Sequence, residues 1–143
     1  MKSTKSEKNG IRNLTRFLFD TKALIAFFND ENGAEFVEKM LKDVDEGKVE
    51  VFISSITLTE IYYIYSRRVG REYAKERVEQ IKMSNLKVIA IDDSIAVKAG
   101  EYKVKAIPIA DALIAACAHS VNAKVVTDGE HFEKVDVEVV RFR

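Results

Sequence analysis

Short apolar runs recur along the chain at Arg16–Phe19, Val49–Ile53, Leu86–Ile91 and Lys124–Thr127, with a further run at Val137–Val140. No two-residue turn joins any neighbouring pair of them, and the segments between the first four are long enough to hold helices. That alternation constrains the fold more than any other feature. It predicts an α/β domain with a parallel sheet and helices on both faces, because parallel neighbours need a long crossover. Helical stretches are expected over Thr21–Phe28, Ala34–Glu46, about Ile56–Arg68, Glu72–Met83, Ile95–Val104 and the Ala-rich Ala110–Ser120. Asp20-Thr21, Ser54-Ser55 and Asp92-Asp93-Ser94 occupy cap positions, and Gly47 and Gly70 act as stops.

A chain of 143 residues, 47% hydrophobic and 32% charged, suits one domain with a core of useful size and excludes a wholly disordered chain. The single Cys117 excludes a disulfide framework and a multi-cysteine zinc site. The most apolar early stretch, Phe17 to Phe28, is broken by Asp20, Thr21 and Lys22, so neither a membrane span nor a signal peptide is expected and the chain reads as cytoplasmic. Residues 1–15, polar and rich in Lys, Ser and Asn, read as an N-terminal extension to a single domain at 16–143. The formal charge is zero, with 23 bases and 23 acids, which taken alone argues against a nucleic-acid partner. The charges are unevenly placed, however. Residues 1–19 hold five bases and one acid, and Arg67 to Lys82 holds six bases against three acids. Neutrality is therefore compatible with an acidic pocket beside a basic rim.

In a parallel sheet, ligands gather beyond the carboxyl ends of the strands. Asp20, Asp92-Asp93 and Asp128 all fall there, and each singly reads as a helix cap. Two further acids resist so simple a reading. Glu60 shares a helix face with Ile56 and Ile64, so it lies on the expected core stripe or at its edge. Asp111 is the one charged residue between Ala106 and Ala118, in the first turn of a helix apolar on nearly every side. A doubly wound sheet can bring Asp20, Glu60, Asp111 and Asp128 to one edge. Such a cluster repels itself unless a cation joins it, and all-oxygen ligation selects Mg²⁺ or Mn²⁺ over Zn²⁺. A site of that kind activates water against a phosphodiester without a protein nucleophile.

Four segments carry a resemblance: Phe19-Asp20-Thr21-Lys22-Ala23-Leu24-Ile25-Ala26, Ser55-Ile56-Thr57-Leu58-Thr59-Glu60-Ile61, Pro108-Ile109-Ala110-Asp111-Ala112-Leu113-Ile114-Ala115-Ala116 and Val125-Val126-Thr127-Asp128-Gly129-Glu130-His131-Phe132. In this order and spacing the sequence resembles the PIN-domain family, and within it the VapC-type toxin ribonucleases, over about residues 16–143. The resemblance implies a three-layer α/β/α sandwich with parallel strand order 3-2-1-4-5. It also implies Mg²⁺- or Mn²⁺-dependent endoribonuclease activity on structured RNA such as tRNA or rRNA, a VapB-type antitoxin partner and a homodimer. Asp20, Asp111 and Glu60 match the family's metal-site acids, and Thr127 its supporting hydroxyl. The family's fourth acid stands two residues after that Thr, where this chain has Gly129. Asp128, one position early, is the substitute the sequence offers, with Glu130 a weaker one.

Several other residues leave alternatives open. Arg67, Arg68, Arg71, Lys75 and Arg77 form either a solvated helix face or an RNA rim. Tyr62, Tyr63 and Tyr65 serve either base stacking or packing. His131 can approach the site, while Cys117 and His119 are expected to pack along the Ala-rich helix. Other functional readings are an RNA-processing nuclease without an antitoxin, a catalytically weak RNA-binding module of the same fold, and a receiver-type phosphoacceptor built on Asp92-Asp93.

Overall fold

Neighbouring side chains in the central strands point to opposite faces of the sheet, and both faces are apolar, so the domain builds a core on each side. The computed structural model describes residues 13–143. In chain order it contains β1 (Arg16–Phe19), α1 (Thr21–Phe28), α2 (Ala34–Asp45), β2 (Glu50–Ser54), α3 (Ser55–Arg68), α4 (Arg71–Met83), β3 (Lys87–Ile89), α5 (Asp93–Lys103), α6 (Ile109–Val121), β4 (Lys124–Thr127), a 3₁₀ turn (His131–Lys134) and β5 (Val139–Arg141). The five strands form one sheet in the order β3-β2-β1-β4-β5, and every pairing is parallel. The expected α/β/α sandwich and its strand order are observed. Leu18, Phe52 and Val125 enter the core beneath α5 and α6, together with Ile114, Ala115 and Phe132. Phe19, Val51, Ile53 and Val126 enter the opposite core beneath α1 to α4, together with Leu24, Val37 and Ile61.

Strand ends differ from expectation where pairing partners run out. The run Leu86–Ile91 yields only the three-residue β3, whose Lys87, Val88 and Ile89 pair with Phe52, Ile53 and Ser54. β2 turns into α3 after Ser54, so Ala90 and Ile91 have no ladder to join. At the other edge β5 begins at Val139, two residues later than the apolar run, where Val125 pairs with it. Of the expected N-terminal extension, residues 1–12 lie outside the described residues. Thr15, at its end, extends the β1–β2 ladder through its carbonyl, which accepts from Glu50 N at 3.0 Å.

Three expected caps behave differently from one another. Ser54 caps α3 by accepting from Ile56 N at 3.2 Å, and Asp92 caps α5 by accepting from Ile95 N at 2.9 Å. Asp20 stands at the N-cap of α1 but its side chain accepts no cap hydrogen bond. Asp92 is thus accounted for by local structure, and Asp20 is not. Gly33 stands at the N-cap of α2, and its φ of +93° and close approach to Phe142 exclude a side chain. Among the described residues, no helix is long and apolar enough to cross a membrane.

Candidate active site

The register of the two central strands sets the first contact. Phe19 pairs with Val126, so the residues that follow, Asp20 and Thr127, leave the carboxyl ends of β1 and β4 side by side. Both are buried, at 4% and 0% exposure. Thr127 donates its hydroxyl to Asp20 Oδ2 at 2.7 Å and accepts from Gly129 N at 2.9 Å. With donor and acceptor both engaged, the hydroxyl is fixed and the Asp20 carboxylate is held in one orientation. Among the described residues, Thr127 alone hydrogen-bonds that carboxylate. Burial raises the Asp20 pKa most. The Thr127 hydrogen bond and the Lys22 charge oppose it, the Asp111 and Glu60 charges add to it, and the net result is a value pushed up to about 6.

Glu60 arrives from α3, and of the two places the sequence left open for it, the core stripe or its edge, the structure shows the edge. The buried stripe of α3 runs through Thr57, Ile61 and Tyr65, one residue round from the Ile56–Glu60–Ile64 face. Glu60 is half-buried at the lip of the site. It accepts from Thr21 Oγ1 at 2.6 Å, and the Thr21 and Thr57 hydroxyls lie 2.9 Å apart. Thr21 has one hydrogen and gives it to Glu60, so Thr57 is the donor to Thr21. Two buried hydroxyls thereby brace the Glu60 carboxylate. Asp111 arrives from the first turn of α6 and contacts His131 of the 3₁₀ turn, with Asp111 Oδ2 2.7 Å from His131 Nδ1.

Asp128 behaves otherwise. Its Oδ2 accepts from Arg143 Nε at 2.8 Å, and Lys22 Nζ stands 3.9 Å from its Oδ1. Arg141 adds bonds to the carbonyls of Asp128 and Gly129, at 2.6 and 3.0 Å. The C-terminal arginines therefore occupy one oxygen of the Asp128 carboxylate and the backbone beside it, while the buried Oδ1 has no hydrogen-bond partner among the described residues. Lys22, which the sequence offered only inside a motif, is exposed and helps line an open cleft of about 740 Å³ with Asp128, Gly129, His131 and Lys134. A second cavity of about 580 Å³ lies at the opposite end of β1 from Asp20, lined by Arg16, Glu50, His119 and Lys124.

Further sequence alternatives are resolved by geometry. Tyr65 is buried, whereas Tyr63 is 56% exposed with Arg67 donating to its hydroxyl at 2.8 Å. Arg77 is no part of a rim, because its guanidinium is stacked 4.6 Å from the ring centres of both Phe28 and Tyr73. Cys117 is buried as expected, while His119 is exposed and meets Tyr102 edge-on.

Asp111 and Glu60 thus act by charge on Asp20, and buried hydroxyls hold Asp20 and Glu60. Comparison with known proteins identifies the domain that carries these residues. The sequence profile described as "PIN domain" matches residues 17–138. The chain belongs to the PIN domain family. That family consists of nucleases. A search of curated proteins finds no match. Among solved structures, this PIN domain resembles the DNA-bound VapBC complex of Salmonella typhimurium at TM-score 0.72 and 23% identity, over 91% of this chain and 100% of that one. It resembles VapBC2 of Rickettsia felis, bound to a promoter DNA fragment, at TM-score 0.69 and 22% identity, over 89% and 98% of the two chains. FitAcB of Neisseria gonorrhoeae follows the same pattern at TM-score 0.67 and 22% identity, over 86% and 95%.

The donor chemistry of this PIN domain suits a divalent cation. Among the described residues, no three Asp, Glu, His or Cys side chains stand close enough to enclose an ion unaided. A hard cation such as Mg²⁺ does not need that many, since it keeps several waters and binds through one or two carboxylates. Asp20, Asp111 and Glu60 supply only oxygen, and the charges of the latter two already press on the buried Asp20. A cation there relieves both repulsion and desolvation.

Proposed function

We propose that the protein is an Mg²⁺- or Mn²⁺-dependent endoribonuclease of the VapC type, the toxin of a toxin–antitoxin pair. The observation that carries this reading is the buried Asp20, held by Thr127 at 2.7 Å at the carboxyl end of β1, with Asp111 and Glu60 contributing charge around it. A carboxylate kept at such a cost to its ionised form is poised for a cation. Asp20 and Asp111 are the ligands, with Glu60 at the lip as the third acid. The bound ion supplies a water of lowered pKa and positive charge for the phosphodiester. The chain's own groups orient and assist. Thr127 holds Asp20, the Thr57–Thr21 pair holds Glu60, and Lys22 presents a cation to the backbone of an RNA lying in the cleft. Arg67 and Arg68 at the end of α3 and Arg71 at the start of α4 form the basic rim.

The experiment is cleavage of structured RNA in Mn²⁺ or Mg²⁺, in EDTA, and by Asp111→Asn. EDTA and Asp111→Asn are each expected to reduce cleavage by at least about a thousandfold, the scale of several kcal/mol of lost charge stabilisation. Cleavage that persists in EDTA rejects the reading. Absence of cleavage under every condition, with RNA still bound, favours the weak binding module instead.

Asp128 is assigned a structural part on the strength of its Arg143 pair. Asp128→Ala is accordingly expected to keep cleavage within about fivefold of the parent protein. Gly129 has no positive φ, and a Cβ there would meet Thr127 Oγ1 at an ordinary 3.5 Å. Gly129→Asp is thus accommodated, and is expected to tighten Mn²⁺ binding in calorimetry by adding a carboxylate beside the site. An unchanged affinity in Gly129→Asp, or a collapse of activity in Asp128→Ala, would return Asp128 to the ligand set.

The same reading includes an antitoxin partner, supported by the VapBC and FitAcB complexes that the fold resembles. It also includes self-association, supported by the exposed Val97 of α5, Val104 just beyond its end and Ile109 at the start of α6. Light scattering of the purified chain tests the second point, with a dimer mass expected.

A further inference from the structure

We propose that His131 is a positioning residue of the acidic site: its Nδ1–H holds Asp111 through Oδ2, and so leaves the other carboxylate oxygen set for a cation. The proposal rests on the metal-dependent reading above and deepens it. A carboxylate only accepts hydrogen bonds, so at 2.7 Å from Asp111 Oδ2 it is His131 Nδ1 that carries the hydrogen, and the tautomer is fixed.

Both partners are mounted on rigid elements. Asp111 sits in the first turn of α6, where the next residue, Ala112, is fully buried. His131 opens the 3₁₀ turn, and the next residue, Phe132, is 1% exposed in the core beneath α6. The buried Phe132 anchors the turn, and the turn aims the imidazole at Asp111. Such support from a fixed backbone is what holds a functional carboxylate to one geometry.

Neighbouring residues make the role specific to His131. Gly129 has no side chain to offer, and Asp128 is held by Arg143 at 2.8 Å. Thr127 and the Thr57–Thr21 pair brace Asp20 and Glu60. Asp111 has no hydroxyl partner among the described residues, and His131 fills that place. The pair is open to solvent, at 47% and 21% side-chain exposure, so it adds little to folding stability. Its contribution is to the orientation of a ligand, as with the outer partners of metal-binding side chains generally.

The test compares His131→Asn, His131→Gln and His131→Ala by Mn²⁺ titration calorimetry on the full chain, alongside melting of the metal-free proteins. Asn places its amide nitrogen close to where Nδ1 stands, whereas Gln reaches toward Nε2. His131→Asn is expected to bind Mn²⁺ within about threefold of the parent, and His131→Gln and His131→Ala at least about tenfold more weakly. All four proteins are expected to melt alike without metal. Unchanged affinity in His131→Ala overturns the proposal. Retention in His131→Gln with loss in His131→Asn also overturns it, by making Nε2 itself a ligand. Equal loss in Asn and Gln overturns it too, since the ring rather than its Nδ1–H would then matter. If the parent protein binds no Mn²⁺, the metal-dependent reading itself falls, and this proposal with it.

Discussion

Asp20→Asn is expected to abolish RNA cleavage and, in the absence of metal, to make the protein more stable at neutral pH. The two effects have one cause. Asp20 is 4% exposed, and burial together with the charges of Asp111 and Glu60 pushes its pKa up from 3.8 to about 6. A folded-state pKa above the unfolded value means that the folded protein holds the proton more tightly. The associated stability is fully present below about pH 4 and is lost as pH rises through about 6. A shift of that size corresponds to about 3 kcal/mol at most, so metal-free protein should be weakened by up to that amount between pH 4 and 7.5. Asn keeps an oxygen to accept from Thr127 and carries no charge. Chemical denaturation of Asp20→Asn should therefore show a gain of about 1–3 kcal/mol over the parent at pH 7.5 and almost none at pH 4. Cleavage should fall by at least about a thousandfold. Adding Mn²⁺ should reverse the stability ranking, since a ligand at about a thousand times its Kd contributes about 4.1 kcal/mol to the form that binds it. A parent protein whose stability rises from pH 4 to 7.5 like that of the variant would contradict the assignment of Asp20.

Gly33→Ala is expected to give a large loss of stability for a substitution in a half-buried loop. At φ +93° an added Cβ is strained whatever the space available. Here there is no space, because that Cβ would stand 2.7 Å from both Phe142 Cδ2 and the Phe142 carbonyl oxygen, and 3.1 Å from Arg143 Cβ. Phe142 is buried at 4% exposure in the core beneath α1 to α4, so the C-terminus cannot simply swing away. Backbone strain and forced repacking together should cost about 2–4 kcal/mol, read as a lowered denaturation midpoint. Arg143 bridges Glu31 at 3.1 Å and Asp128 at 2.8 Å, so the same substitution should loosen the Asp128 carboxylate. Cleavage measured well below the melting temperature should nevertheless survive, because Asp20, Glu60 and Asp111 take no support from Arg143. A Gly33→Ala protein that folds normally but cuts no RNA would place Arg143 and Asp128 in the active machinery.

The amino-acid sequence by itself determined the elements and their order. β1, α1 and β4 fall where the apolar runs and helical spacing put them, because period and capping act over a few residues. Parallel pairing followed from crossovers too long for hairpins. The residue types of the acidic group, with the PIN-domain resemblance, were legible in four short segments. Only the tertiary structure decided how those residues are used. The sequence left Glu60 either on the core stripe of α3 or at its edge; a rotation of one residue separates the two, and hydrophobic spacing alone cannot resolve that difference. Asp20 occupies a cap position, yet its hydrogen bond comes from Thr127, 107 residues away in sequence. Asp128 lies next to Thr127 in sequence but is drawn to Arg143 at the chain end, while His131 reaches Asp111 across 20 residues. Local sequence specifies conformation through short-range sterics and hydrogen bonds. The charge state and partner of a carboxylate depend on burial and on what the far strands and turns bring within 3 Å, and that is settled only when the sheet assembles.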